Sequence, residues 1–189
     1  MFLGCEVWVT DLLDIASQVQ VIAEPDISFP QADSFERIIN LCELLSVHDL
    51  SHSQITQEYD FTSRQTQYYT DASRYLGLVI KDTKTECDEN HHTFRIIYYT
   101  LSPKGKKIMQ QNYRQRQLAF CNAILEHRAF KETFDDYMHN GYMPKKQSIA
   151  DIMENSKVYH IESRETYLRR ASTIRHWINW MIGLTQESL

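Results

Sequence analysis

Apolar positions fall in short groups, and their spacing changes type along the chain. Val7, Val9, Leu12, Leu13 and Ile15 form an early apolar stretch. A polar segment with Pro25 and Pro30 follows, and no helix runs comfortably through it. Residues 1–33 therefore read as a lead-in. From Ser34 on, Ile38, Ile39, Leu41, Cys42, Leu44 and Leu45 recur at helical spacing, with Asp33 or Ser34 as the cap. Ser51 or Ser53 starts a short helix carrying Ile55 and Tyr59. Thr62-Ser63 then breaks the chain and caps a helix from Arg64 to Leu76, with Ser63 the expected cap. Tyr69, Ala72, Ser73 and Leu76 make its inner face, and Gly77 ends it where a left-handed residue is cheapest. Leu78-Val79-Ile80 is strand-like, Asp82 to His92 reads as a turn or loop, and Phe94 to Tyr99 is a second strand. Ser102-Pro103 opens another helix with proline in the first turn. Asn112 to His139 reads as two helical pieces ending at Asn140-Gly141.

The last segment repeats the middle one. A short helix with Ile55 at its centre precedes Ser63-Arg64-Gln65-Thr66 and a helix carrying Ala72-Ser73. A short helix with Ile149 and Ile152 precedes Ser163-Arg164-Glu165-Thr166 and a helix carrying Ala171-Ser172, one residue out of step. Leu168, Ala171, Ile174, Ile178 and Met181 make the expected inner stripe of that helix, with Trp177 and Trp180 in core or interface positions.

Three helices, a hairpin and a returning helix resemble the winged-helix order. SRYLGLV, the hairpin and YTLSPKGKKIM look like the end of a recognition helix, its wing and the LTxxGxxI exit of many members. The resemblance implies a mainly α fold with a small β-hairpin wing (α+β), built of tandem winged-helix and helix-turn-helix modules. The expected layout is a lead-in over 1–33, a winged helix over 34–112, a helical connector over 113–143 and a second helix-turn-helix over 144–189, which lacks a wing. SIADIM and SRETYLRRASTIRHWINWMIGL further resemble the DNA-recognition portion of type II restriction endonucleases. That likeness implies a restriction–modification setting and a nuclease domain or subunit as partner.

Composition changes this picture in one respect. Of 189 residues, 42% are hydrophobic and only 5 are Gly and 4 Pro, enough to bury a core. The net charge of −5 argues against a chain that coats nucleic acid by charge alone. Residues 1–60, however, hold 11 acids against Arg37 alone, and residues 61–189 hold 19 bases against 14 acids. A localised basic surface is the sharper expectation. No apolar run approaches the ~20 residues of a membrane span, and no secretory signal is present. Cys5, Cys42, Cys87 and Cys121 form no CxxC, so they read as incidental thiols of a cytoplasmic protein. No cofactor or metal is expected.

The candidate DNA contacts are polar residues on the two Ser-Arg-x-Thr helices. Arg pairs with guanine and Gln with adenine in the major groove, and helix N-termini hold phosphates. The first helix offers Ser63, Arg64, Gln65, Gln67, Tyr68 and Arg74, and the hairpin offers Lys84 beside Lys81, His91, His92 and Arg95, with the acids Asp82, Glu86, Asp88 and Glu89 set against contact with phosphates or the minor groove. The second offers Arg164, Arg169, Arg170, Thr173, Arg175 and His176, with pairing to the acidic N-terminal block as the competing role. The expected partner is double-stranded DNA, with a homodimer as an open alternative. Other readings are a winged-helix transcriptional regulator, a protein-interaction scaffold, or a small metal-dependent nuclease using Pro25-Asp26 with Asp82-Thr83-Lys84.

Overall fold

The computed structural model describes residues 6–87, 89 and 91–186. Cys5 and the hairpin acid Asp88 lie outside the described residues. Among those described, the protein is mainly α-helical with two small sheets. In chain order the elements are β1 (Val7–Trp8), α1 (Val9–Gln18), α2 (Phe35–Val47), β2 (Leu50–Ser51), α3 (His52–Glu58), α4 (Ser63–Tyr75), β3 (Val79–Cys87), β4 (Thr93–Leu101), α5 (Pro103–Met109), α6 (Tyr113–Leu125), α7 (Arg128–Asn140), α8 (Lys146–Asn155), α9 (Arg164–Gly183) and β5 (Thr185–Gln186). One sheet runs β2-β4-β3, all antiparallel; the other pairs β1 with β5 in parallel.

The segment read as a lead-in is part of the body. The Asp11 carboxylate accepts from the Trp8 N–H at 2.9 Å and so starts α1. Leu12 and Ala16 are buried, and Arg114 of α6 grips both Asp11 oxygens at 2.7 and 2.8 Å. β1 then pairs with β5, which follows α9. Residues 19–34 form neither helix nor strand, with a bend at Asp26-Ile27, and run as a strap across both halves. Phe29 is buried between Tyr75 and Phe130, with ring centroids 5.5 and 5.6 Å away. Ala32 gives its carbonyl to the Trp177 indole N–H at 2.7 Å, and the Tyr75 hydroxyl donates to Glu24 at 2.6 Å.

The middle of the chain follows its capping signals. Ser51 caps α3 with Gln54 closing the box, Ser102 caps α5 with Pro103 in its first turn, and Asn112 caps α6. Thr62, not Ser63, caps α4: its hydroxyl accepts from the Gln65 N–H at 3.2 Å, and Gln65 Oε1 accepts from the Thr62 N–H at 2.9 Å. Ser63 is thereby the first helical residue. Gly77 takes φ +69 behind α4. Gly105 is required by contact: a Cβ there would lie 2.2 Å from the Leu78 carbonyl, so α5 rests directly on the chain entering β3.

The stretch from Asp82 expected as loop continues β3 to Cys87, paired residue for residue with β4. Its side chains are nearly all solvated, so no apolar alternation marks it. The inner stripe of α9 is Ala171, Thr173, Ile174, Trp177, Ile178 and Met181, while Leu168 is only half-buried. Trp177 stacks on Phe130 at 4.9 Å and meets Phe35 edge-on at 5.1 Å, which locks α9 to α7 and α2.

Candidate nucleic-acid interface

The start of α4 and strand β4 form the walls of an open groove of about 800 Å³. His52, Ser63, Arg64 and Gln67 stand on the helical side, and Arg95, Ile96 and Ile97 on the strand. Two contacts hold α3 against α4 at this end. His52 Nε2 and Ser63 Oγ are 3.0 Å apart, and the Thr56 and Thr66 hydroxyls are 2.8 Å apart. The capping threonine leaves the Ser63 hydroxyl free of helix-start duty, which is why it reaches across to His52.

The hairpin register sorts its charges. Directly paired residues of antiparallel strands share a face, and neighbours along a strand alternate. Tyr99 is buried, so its face looks inward to the helices. Its row carries Lys81, Thr83 opposite Ile97, and Thr85 opposite Arg95, with no acid. The other row carries Asp82 opposite Tyr98, Lys84 opposite Ile96, and Glu86 opposite Phe94. Glu86 accepts from the Tyr98 hydroxyl at 2.6 Å, a bond that holds this phenol above its ordinary pKa. The acids of strand β3, Asp82 and Glu86, therefore lie in the row opposite to that of Tyr99 and Arg95.

The expected contacts divide into tied and open groups. Arg64 is exposed; its Nε donates to the Tyr68 hydroxyl, with the guanidinium 5.3 Å from the ring centroid. Gln65 is committed to the Thr62 cap. Gln67 donates to Asp71 at 2.6 Å, and Arg74 pairs with the same carboxylate at 2.8 Å. Lys84 belongs to the outward row, 3.8 Å from Asp49 and 4.5 Å from the Tyr98 ring centroid. Arg164 pairs with Asp151 at 2.6 Å and Glu154 at 3.2 Å, and these bonds to Asp151 and then Glu154 raise its pKa.

Thr173 was expected on an open face but is buried, donating to Asp33 at 2.8 Å. His176 is exposed and 3.6 Å from the other Asp33 oxygen. The strap thus occupies part of the face predicted for DNA. Arg169 is exposed, whereas Arg170 and Arg175 are half-buried rather than open. Burial first, and then the charge of Arg169, push the Arg170 guanidinium down to about 10.

Of the groove residues, His52 was not a candidate from sequence, and Arg95 was only one of several wing bases. Arg95 becomes visible once the β3–β4 register shows that it shares the Tyr99 row. His52 carries no local signal; only the packing of α3 on α4 brings it to Ser63. Among the described residues no three His, Cys, Asp or Glu side chains gather as a metal site, and no helix is long and apolar enough to cross a membrane. Cys42 and Cys121 are buried free thiols and Cys87 is exposed.

A family model described as "Domain of unknown function (DUF7226)" matches residues 37–186, from the first turn of α2 through β5. No curated protein matches the chain, and no solved structure matches it.

Proposed function

The chain belongs to the DUF7226 family, and from its groove we propose that it recognises duplex DNA. In this reading α2-β2-α3-α4-β3-β4 is a winged helix, α4 is the helix presented to the major groove and the β3–β4 hairpin is the wing. The α8–α9 pair is the second helix-turn-helix. The observation that carries the reading is the groove itself. Arg64 and Arg95 face it from two elements, neither has an ion pair among the described residues, and the β3 acids Asp82 and Glu86 belong to the row opposite to that of Arg95. Arg64 is held only by a phenol, so it can exchange that partner for guanine O6 and N7 or for a phosphate. Gln67 can read adenine by leaving Asp71 to Arg74. The chain supplies positioning and readout; a nuclease domain or subunit in a restriction–modification setting would supply cleavage.

Fluorescence anisotropy with a labelled random-sequence duplex over a salt series tests the reading. Salt-sensitive binding that weakens ~10-fold or more in the Arg64→Gln/Arg95→Gln double variant is expected. Absence of binding by the unaltered chain at every salt concentration overturns it. Selection from a random duplex library then separates sequence-specific readout from backbone binding.

A further inference from the structure

Helix α9 carries a cleft of its own, lined by none of the α4 groove residues. Two cavities adjoin there, with His176 and Asn179 in the walls of both. The smaller, about 270 Å³, is completed by Lys146, Ser172 and Arg175. The larger, about 720 Å³, takes in Asp33, Glu36, Tyr113 and Trp180 and reaches Gly183. From Ser172 to Gly183 the helix rises about 16 Å, so the two chambers follow one another along it.

The chambers have opposite chemistry. The smaller offers two cations, a histidine, a hydroxyl and an amide, and its wall holds no carboxylate. The larger offers aromatic rings and carboxylates. Trp180 is half-buried and held against Phe35, with ring centroids 4.2 Å apart, while Tyr113 is 55% exposed. Asp33 and Glu36 are exposed, and each has used only part of its acceptor capacity. Glu36 accepts from the Ser34 hydroxyl at 2.9 Å and Asp33 from the Thr173 hydroxyl at 2.8 Å. A carboxylate has about four acceptor sites, so both keep lone pairs for the N–H groups of a ligand. His176 belongs to both chambers. Its Nδ1 lies 3.6 Å from Asp33, which leaves Nε2 for a ligand.

A molecule that meets both ends carries an anion, a flat ring with N–H donors and a spacer between them. We propose that this cleft binds a nucleoside monophosphate, with guanine as the base. The phosphate accepts charge-assisted bonds from Lys146 and Arg175 and a bond from Ser172. The base lies against Trp180 and Tyr113, where any base can stack. Guanine presents an N1–H and an amino group to Asp33 and Glu36, whereas adenine presents its amino group alone. The carboxylates repel the phosphate, so the ligand enters in one direction only. A free nucleotide and the 5′-phosphate end of a strand offer the same groups. The inference stands apart from the duplex reading, because neither Arg64 nor Arg95 lines the cleft.

Isothermal titration calorimetry of the full chain tests it with guanosine monophosphate, adenosine monophosphate, guanosine and inorganic phosphate. Guanosine monophosphate is expected to bind ~10-fold or more tightly than each of the others, since each lacks at least one hydrogen bond to a charged group. Lys146→Gln and Arg175→Gln should each weaken it ~10-fold and narrow its advantage over guanosine. Glu36→Gln should narrow its advantage over adenosine monophosphate. The Arg64→Gln/Arg95→Gln double variant should bind it as the unaltered chain does.

A 5′-phosphorylated single strand beginning with guanine separates the two sources. Binding tighter than that of the mononucleotide, and lost with the 5′-phosphate, assigns a strand end; binding no tighter assigns the free nucleotide. Absence of binding to both overturns the proposal. So does nucleotide binding that Lys146→Gln and Arg175→Gln leave unchanged. An affinity for guanosine monophosphate no higher than for inorganic phosphate removes the base chamber and overturns it as well. Lys146 and Glu36 are exposed, so their variants should keep the Tm of the unaltered chain. Should the half-buried Arg175→Gln fail to fold, Lys146→Gln decides alone.

Discussion

Helices α4 and α9 open on the same letters, and their first arginines meet opposite fates. Arg164 is held by two carboxylates of the preceding helix, Asp151 and Glu154. Arg64 makes no ion pair with Glu58, the acid of α3, and leans on a phenol beside an open groove. The serines differ as well. Ser163 caps its helix, while Ser63 sits one residue inside a helix capped by Thr62 and touches His52. The shared letters are thus a helix-start signature first. Whether the following arginine is available to a ligand depends on which acids the neighbouring helix presents.

The two units also hold the strap differently, and this gives the largest expected effects. Trp177 binds it through the Ala32 carbonyl while filling the space against Phe35 and Phe130. Trp177→Ala is expected to cost about 3–5 kcal/mol in urea denaturation. A loss below ~1 kcal/mol would mean that the α9 unit is not locked to α2 and α7 in this way. Tyr75 holds the strap from α4 through Glu24. Burial above all, and then the Glu24 charge and hydrogen bond, keep its phenol well above the usual 10. The unfolded chain ionises this tyrosine first. The associated stability is therefore complete below about pH 10 and is lost at up to ~1.4 kcal/mol per pH unit above it, until the folded phenol titrates. In Tyr75→Phe, the drop in denaturation midpoint between about pH 9 and pH 11 should be smaller than in the unaltered chain. An equal drop would place the alkaline sensitivity elsewhere.

The arginine contrast is tested by a matched pair. Arg64→Gln should weaken duplex binding ~10-fold, whereas Arg164→Gln should leave affinity nearly unchanged and lower Tm slightly. Equal losses of affinity would erase the distinction between the two helices.

Much of the first unit and of the helical connector was legible because the punctuation there is local. Ser51, Ser102-Pro103, Asn112 and Gly141 each act within a few residues, and the inner face Tyr69, Ala72, Ser73 and Leu76 follows from helical spacing alone. Signals that depend on distant partners were not legible. Helix α1 is short and draws its support from Arg114, which lies 103 residues beyond Asp11. β3 has two solvated faces and is defined by its pairing with β4. The stripe of Leu168, Ala171, Ile174, Ile178 and Met181 leaves Thr173 on the opposite face, and its bond to the strap's Asp33 is a contact that helical spacing does not reveal. The candidate site shows the same division. Arg64 and Gln67 were visible as polar residues on a helix start, but Arg95 was only one of several wing bases until the register placed it, and His52 needed the packing of α3 on α4.

The smallest effect separates the two helix starts themselves. Thr62 and Gln65 satisfy two N–H groups reciprocally, at 3.2 and 2.9 Å. Ser163 accepts from Thr166 N–H at 3.3 Å, and the residue in the reciprocal position is Thr166, whose hydroxyl instead receives the serine's proton at 2.9 Å. One N–H is satisfied there rather than two. Thr62→Ala should therefore cost about 1 kcal/mol and Ser163→Ala about half that, measured by urea denaturation of the full chain. The difference also bears on binding. The Thr62 cap is what frees Ser63 for His52 and fixes the first turn of α4 beside the groove. Duplex affinity should fall with Thr62→Ala by more than its stability loss predicts at the same salt, and it should not fall with Ser163→Ala. If the two alanine variants behave alike in both measurements, the caps are interchangeable helix starts, and the orientation of Arg64 must come from α3 alone.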